Sequence, residues 1–311
     1  MWMLLAIAAP LALIGLLDDD DDTGAERVPL DGSEGDDTIL GGSANELIQG
    51  YQGDDELFGG EGDDTVFGQG GDDLLVGNAG NDMLCSGDGD DFISGQRGAD
   101  FIEGQEGDDW ISADYNDDRA FGNEGNDTII GGRNNDAVLG NAGDDVLFGG
   151  ILRGLPLDED EMRDLADGVS LEAILNRGGL DIDLREDDQS DTLAGGEGDD
   201  MLFVGAADVA TGGAGADTFH ITVDDDYEDR PVPTITDFNG RVDSIVVVFD
   251  VNVPVSEVTV EQAGDDAIVL ADGVRVGLIE GGAGSVTADM ISLVTEDSVV
   301  GMFDPNAPVA A

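Results

Sequence analysis

An acidic residue returns every nine positions from Asp37 to Asp145, and carboxylates at so fixed a pitch are the groups in this chain most apt for chemistry. The series runs Asp37, Glu46, Asp55, Asp64, Asp73, Asp82, Asp91, Asp100, Asp109, Asp118, Asp127, Asp136 and Asp145. Each is sixth in a nonapeptide whose first and fourth places are mostly glycine and whose fifth is Asp or Asn in twelve of thirteen repeats. Glycine takes positive φ and leaves its carbonyl approachable. Asp and Asn tolerate the same turn geometry. A carboxylate among several turn carbonyls is a hard-oxygen donor set, which suits Ca²⁺ and not zinc or copper. Asp200 and Asp217 sit in two further good repeats, Gly195 to Leu202 and Gly212 to Phe219, and complete the candidate metal ligands.

Something must hold these turns at a constant spacing, and the eighth place of each repeat supplies it. Those places read Ile39, Ile48, Leu57, Val66, Leu75, Leu84, Ile93, Ile102, Ile111, Ala120, Ile129, Val138 and Leu147. Positions seven to nine are expected to form a short strand with the eighth side chain on one face. Period nine of this kind marks a stack of short strands joined by acidic turns. By composition alone, 49 Gly and a formal charge of −61 fit a disordered acidic tail. Disorder, however, requires no aliphatic residue at one phase of a nine-residue cycle.

The segment Gly59-Gly60-Glu61-Gly62-Asp63-Asp64-Thr65-Val66-Phe67 matches outright the pattern Gly-Gly-x-Gly-x-Asp-x-aliphatic-x. On it the chain resembles the hemolysin-type calcium-binding (RTX) repeat family of exported bacterial proteins. Position two departs most, with Ser33, Tyr51, Gln69, Asn78, Gln96, Gln105, Asp114, Asn123 or Asn141 in place of glycine. The resemblance implies an all-β fold: a right-handed parallel β-roll solenoid in which two nonapeptides make one turn. It places multiple Ca²⁺ ions between loops two repeats apart, bridged by sixth-position carboxylates and loop carbonyls. A rod on the order of 30 Å long follows from the usual strand spacing. The loops then fall into two columns. One carries Asp37, Asp55, Asp73, Asp91, Asp109, Asp127 and Asp145, each after a fourth-position glycine; the other includes Ala44 with Glu46, Ala113 with Asn116, and Asn134. The first column is expected to bind more tightly.

Six segments follow from these patterns. Residues 1–17 are an apolar N-terminal stretch, 18–31 an acidic linker, and 32–150 the main roll. Residues 151–186 break the period and read as a helical hairpin insertion. Asp158 with Glu161 fits a capping box there, Gly168 a helix stop, and Ser170 to Gly179 a second short helix. The hairpin either packs on the outside of the roll or docks a partner. Residues 187–220 form a second array with one repeat a residue short, and Asp191 to Leu193 look like the end of a worn repeat. Residues 221–311 carry turn signals at Asn239-Gly240, Gly264-Asp265 and Asp272-Gly273 and read as a C-terminal β cap sealing the solenoid. Gly215 to Phe219 and Ile235 to Phe238 resemble the C-terminal region of proteins exported by type I secretion.

Leu74, Phe92 and Trp110 form an outward apolar rib in successive layers, expected to be covered by the hairpin or a neighbouring molecule, or to serve as an aromatic platform. Cys85, the one cysteine, falls at an outward ninth position, so no intrachain disulfide framework exists. Met1 to Leu17 carry no charge and are followed by Asp18 to Asp22. A retained membrane anchor, an atypical signal peptide and a buried N-terminal cap are all open readings.

With 72 acidic residues against 11 basic ones, nucleic acid and anionic membrane surfaces are excluded as partners, leaving the N-terminal segment as the only membrane contact. No His-Glu-x-x-His motif exists, since His220 is the one histidine, and no Gly-x-Ser-x-Gly elbow occurs. No lysine is present to carry the acylation that pore-forming RTX toxins use. The expectation is a non-enzymatic, calcium-binding extracellular or cell-surface protein of structural or adhesive use, with cell-surface or matrix components as partners. A non-catalytic relative of an RTX secreted enzyme or toxin is the alternative.

Overall fold

The computed structural model describes residues 29–152, 157, 159–166, 169, 184–185, 189–223, 231–249, 255–295 and 299. Met1 to Leu17, most of the acidic linker, Asp158, Gly168 and the second expected helix lie outside them.

Successive strands alternate between two sheets that face each other. The first sheet stacks Pro29–Asp31, Leu47–Gln52, Thr65–Gly70, Met83–Asp88, Phe101–Glu106, Arg119–Glu124, Ala137–Ala142, Thr192–Glu197, Val209–Ala214 and Thr234–Ile235 in parallel. The second stacks Thr38–Leu40, Glu56–Glu61, Leu74–Ala79, Phe92–Arg97, Trp110–Tyr115, Thr128–Arg133, Val146–Phe148, Met201–Val204, Thr218–Val223, Ser244–Phe249 and Ile291–Thr295. Register is strict: Ile48 lies beside Val66, and Val66 beside Leu84. The molecule is thus an all-β parallel solenoid.

The strands are longer than the three residues expected from the pattern. Most run six residues, through positions seven to nine and on through one to three of the next repeat. The bend between the two halves lies at position two, where Tyr51, Gln69, Gln105 and Asn123 hold φ between 85° and 95°. An ordinary residue in this left-handed region costs on the order of 1 kcal/mol. The ladder continues beyond the bend, as in the pairing of Gln52 with Gly70.

Eighth-position side chains from both sheets meet in one file, with Ile48, Leu57, Val66, Leu75, Leu84 and Ile93 fully buried. Full burial of such a side chain contributes about 1.5–3 kcal/mol. From Ile48 to Val138 nearly every strand gives this file one side chain, whereas farther along Leu202 with Val204, and Phe219 with Ile221 and Val223, thicken it.

The two arrays are one object. Ala137–Ala142 pairs in parallel with Thr192–Glu197, and Val146–Phe148 with Met201–Val204, so the solenoid passes across the insertion without a break. At the insertion's base Ile151–Leu152 pairs antiparallel with Leu184–Arg185. The helix Glu159–Ala166 (α1) lies over the apolar rib. Leu157, Met162 and Leu165 bury Leu74 and Trp110 together with Phe58 and Phe148. Arg163 joins Glu56 at 2.9 Å and stands over the Phe58 ring. The rib that the sequence places outside is therefore interior, because α1 closes over it. Cys85 is likewise buried, beneath Phe67 and Met83 on the outer face of the first sheet. Burial and the nearby Glu103 carboxylate push its thiol far above the ordinary range.

The C-terminal cap extends both sheets. Val258–Ala263, Asp266–Ala271 and Val274–Ile279 add an antiparallel meander to the end of the first sheet. Its turns fall at Gly264 and at Asp272-Gly273, all with positive φ. A turn at Asn239 follows the third sequence signal, with the Asp243 amide donating to the Asn239 carbonyl.

Candidate metal centre

Each sixth-position carboxylate is built into the layer before its own. The Asp55 amide donates to Asp73 Oδ1 at 2.8 Å, Asp73 to Asp91 at 2.7 Å, Asp91 to Asp109 at 2.9 Å and Asp109 to Asp127 at 2.9 Å. The second column repeats the motif from Asp64 to Asp82, Asp100, Asp118 and Asp136. Fifth-position side chains run the opposite way: the Asp72 amide donates to Asp54 Oδ1 and the Asp90 amide to Asp72 Oδ1. Neighbouring layers are thereby cross-tied through carboxylates at every acidic turn. Charge-assisted bonds of this kind are roughly twice as strong as neutral ones.

One oxygen of each sixth-position carboxylate is spoken for, and the other is not. Oδ2 of Asp55, Asp73, Asp82, Asp91, Asp100, Asp109, Asp118, Asp127, Asp145 and Asp200 is buried and has no hydrogen-bond partner. A buried anionic oxygen without a partner is costly. Position one explains the room around it. A Cβ on Gly50 would stand 2.2 Å from Asp55 Oδ2 and 2.9 Å from the Gly68 carbonyl, and one on Gly68 2.2 Å from Asp73 Oδ2 and 2.6 Å from the Ser86 carbonyl. Glycine therefore keeps open a niche in which a carboxylate oxygen and a carbonyl of the next layer converge. Ser86 and Ala113 each put a real Cβ at position one, beside Asp91 and Asp118 respectively. The first column thus has its own imperfect loop.

Burial dominates the electrostatics. It raises Asp73, Asp82 and Asp145 to about 8, with the carboxylates one layer away adding to the effect. Burial with the Asp91 and Asp127 charges takes Asp109 to about 9, and burial takes Asp118 to about 10. Asp100 and Asp127 reach about 7, and Asp91 and Asp200 about 6. Among the described residues no three His, Cys, Asp or Glu side chains converge. Any cation held here would draw on one carboxylate oxygen per loop together with backbone carbonyls. That is a hard-oxygen set, and it fits calcium.

All fourteen aspartates expected as ligands stand in the two columns, with differences at the ends. Asp37 is half-buried, and its Oδ2 takes hydrogen bonds from the Ser33 amide and hydroxyl. Asp217 accepts the Asp200 amide, and its own amide donates to Asp243 Oδ1. The structure adds Asp191 and Asp208 to the second column, through Asp136 N to Asp191 Oδ1 at 2.8 Å and Asp191 N to Asp208 Oδ1 at 3.0 Å. Asp208 follows Asp191 by 17 residues rather than 18, the residue missing from the short repeat. Asp114 went unread as a candidate because it stands at position two. It is fully buried, accepts Ser94 and Ser112 hydroxyls, and its charge raises both Asp100 and Asp118. His220 stacks on Phe203 at 4.3 Å, and burial lowers it to about 4, which fits a packing role.

A family model described as the RTX calcium-binding nonapeptide repeat matches residues 30–57, 49–84, 86–119, 113–147, 187–208 and 205–227, together just over half of the chain. No curated protein matches. Among eleven matching chains of solved structure is the extracellular lipase LipA from Serratia marcescens, 16% identical, with 87% of this chain and 40% of the lipase covered. Its TM-score is 0.22, a superposition too loose to inform fold or activity.

Proposed function

The chain belongs to the RTX calcium-binding nonapeptide-repeat family, and from that premise we propose that it is an exported, non-catalytic structural or adhesive protein whose solenoid forms when calcium binds. The ten buried Oδ2 atoms without partners carry this reading. Asp55, Asp73, Asp82, Asp91, Asp100, Asp109, Asp118, Asp127, Asp145 and Asp200 would hold the ions, with first-position carbonyls such as that of Gly68 completing the donor set. Bound calcium supplies the positive charge that lets these carboxylates remain ionised inside the fold. The chain's own residues do the rest: amides fix Oδ1, glycine clears the niche, and the eighth-position file sets the spacing.

Without a cation, like charges in successive layers oppose folding of the main repeats, where nearly every strand gives the core between the sheets one side chain. Ligand binding and folding then become one equilibrium. Extracellular calcium modules bind at roughly 10⁻⁴ to 10⁻³ M. A chain with that affinity stays unfolded in low-calcium cytosol, competent for export, and becomes rigid outside. The sequence carries neither a His-Glu-x-x-His nor a Gly-x-Ser-x-Gly motif, and the proposed role is accordingly non-catalytic. Fractionation of the producing cell tests the proposal, combined with protease and esterase assays in calcium. Surface or medium recovery with no calcium-activated hydrolysis is expected; cytosolic retention or turnover would overturn it.

A further inference from the structure

The insertion enters the solenoid in the middle of one acidic turn. A Cβ on Gly149 would stand 2.6 Å from Asp191 Oδ2, the relation that Gly50 has to Asp55. Gly149 and Asp191 are thus positions one and six of a single repeat, split by the intervening residues. The Ser190 amide donates to Asn135 Oδ1, as fifth-position residues do elsewhere. Across the solenoid, the loop before the insertion lies directly on a loop after it. The Asp145 amide donates to Asp200 Oδ1 at 2.9 Å, and the Asp199 amide to Asp144 Oδ1 at 2.8 Å, each over 55 residues of sequence. Asp145 and Asp200 are each 1% exposed, and the Oδ2 of both lacks a hydrogen-bond partner.

We propose that the stacked loops of Asp145 and Asp200 form a divalent-cation site that spans the insertion, so that the cation, more than the covalent link through residues 149–190, holds the distal solenoid in register. This rests on the calcium reading above and adds to it a seam. The seam has two kinds of adhesion, strand pairing of Val138 with Leu193 and Leu147 with Leu202, and the cation at the acidic turn. Phe148 against Phe203 adds ring contact to the first kind, and the comparison in and out of calcium weighs it against the second.

The test uses the full chain with a specific protease sequence placed at residues 176–178, cut after folding in calcium. The two fragments are expected to co-elute in millimolar calcium and to separate in chelator. Asp145→Asn and Asp200→Asn should each raise the calcium needed for half-retention on the order of tenfold, since affinity follows ligand charge count. Asp55→Asn, a ligand-loop variant several layers from the seam, should raise it by much less than either. Retention in chelator, separation in calcium, or equal shifts from Asp55→Asn and Asp200→Asn would overturn the seam. Circular dichroism of each uncut variant in calcium separates loss of the site from loss of the fold. If only one seam variant folds, its shift decides; if neither folds while Asp55→Asn does, the site is essential to the distal solenoid as proposed. Failure of the uncut parent to bind calcium would instead defeat the family-based reading.

Discussion

The repeated solenoid and the C-terminal cap solve the same problem, a stable stack of strands, with different materials. In the repeats from Leu47 to Ala142 nearly every strand gives the core between the sheets one side chain, and the layers are tied through buried carboxylates. In the cap, Ala267, Val269 and Ala271 from one strand join Val276 and Ile279 from the next in the same core. Its turns use Gly264 and Asp272-Gly273. No sixth-position series runs through the meander Val258–Ile279. A fold built on buried like charges is conditional on what neutralises them, whereas one built on apolar side chains is not.

The largest expected effect follows from that contrast. In chelator at neutral pH, hydrogen exchange should be fast throughout the strands from Leu47 to Ala142, while amides of Asp266–Ala271 retain more protection. Equal loss of protection in both regions would erase the distinction.

Next comes the niche itself. Gly68→Ala would force a methyl group against Asp73 Oδ2 and the Ser86 carbonyl. It should cost on the order of tenfold in calcium affinity. Gly273→Ala, in the cap, should leave calcium affinity unchanged and only strain a turn with φ 86°. Between the columns, Asp73→Ala should cost more affinity than Asp118→Ala, whose loop carries Ala113 and Asn116 in place of two glycines. Calorimetric titration of the four variants checks this.

Acid should discriminate the regions too. Asp73, Asp82, Asp109, Asp118 and Asp145 have values in the fold well above the ordinary 3.8, so the metal-free solenoid takes up protons on folding. The stability this contributes is complete below about pH 4 and is lost as pH rises through about 8 to 10. Chelated protein should therefore gain strand signal on acidification from pH 8 toward 4, the meander contributing little to the change. A flat profile would mean that the carboxylates are not buried in the folded state.

The smallest effect belongs to the helix. Met162→Ala should destabilise α1 and its rib by about 2–5 kcal/mol. Trp110 fluorescence should shift red, while calcium affinity at Asp55 and Asp73 stays put.

The period of nine made the solenoid, its file of eighth positions and its two columns legible, because in a solenoid sequence spacing is spatial spacing. What stayed hidden lies where that identity fails. Asp208 is displaced by one residue. Gly149 and Asp191 share a turn but are separated by the insertion, and Asp114 carries its carboxylate from position two. The rib of Leu74, Phe92 and Trp110 was visible, yet its burial depends on α1, a contact across long sequence distance that periodicity does not encode. The family pattern prefers glycine at position two, whereas Tyr51 and Gln69 take the left-handed conformation there, held by the ladder on either side.

Far-UV circular dichroism of the purified full chain at neutral pH, in chelator and then in millimolar calcium, tests the central claim most directly. The predicted outcome is a largely unstructured spectrum in chelator and a strong strand spectrum once calcium is added. A full strand spectrum in chelator would show that the buried carboxylates need no cation, and would contradict the account.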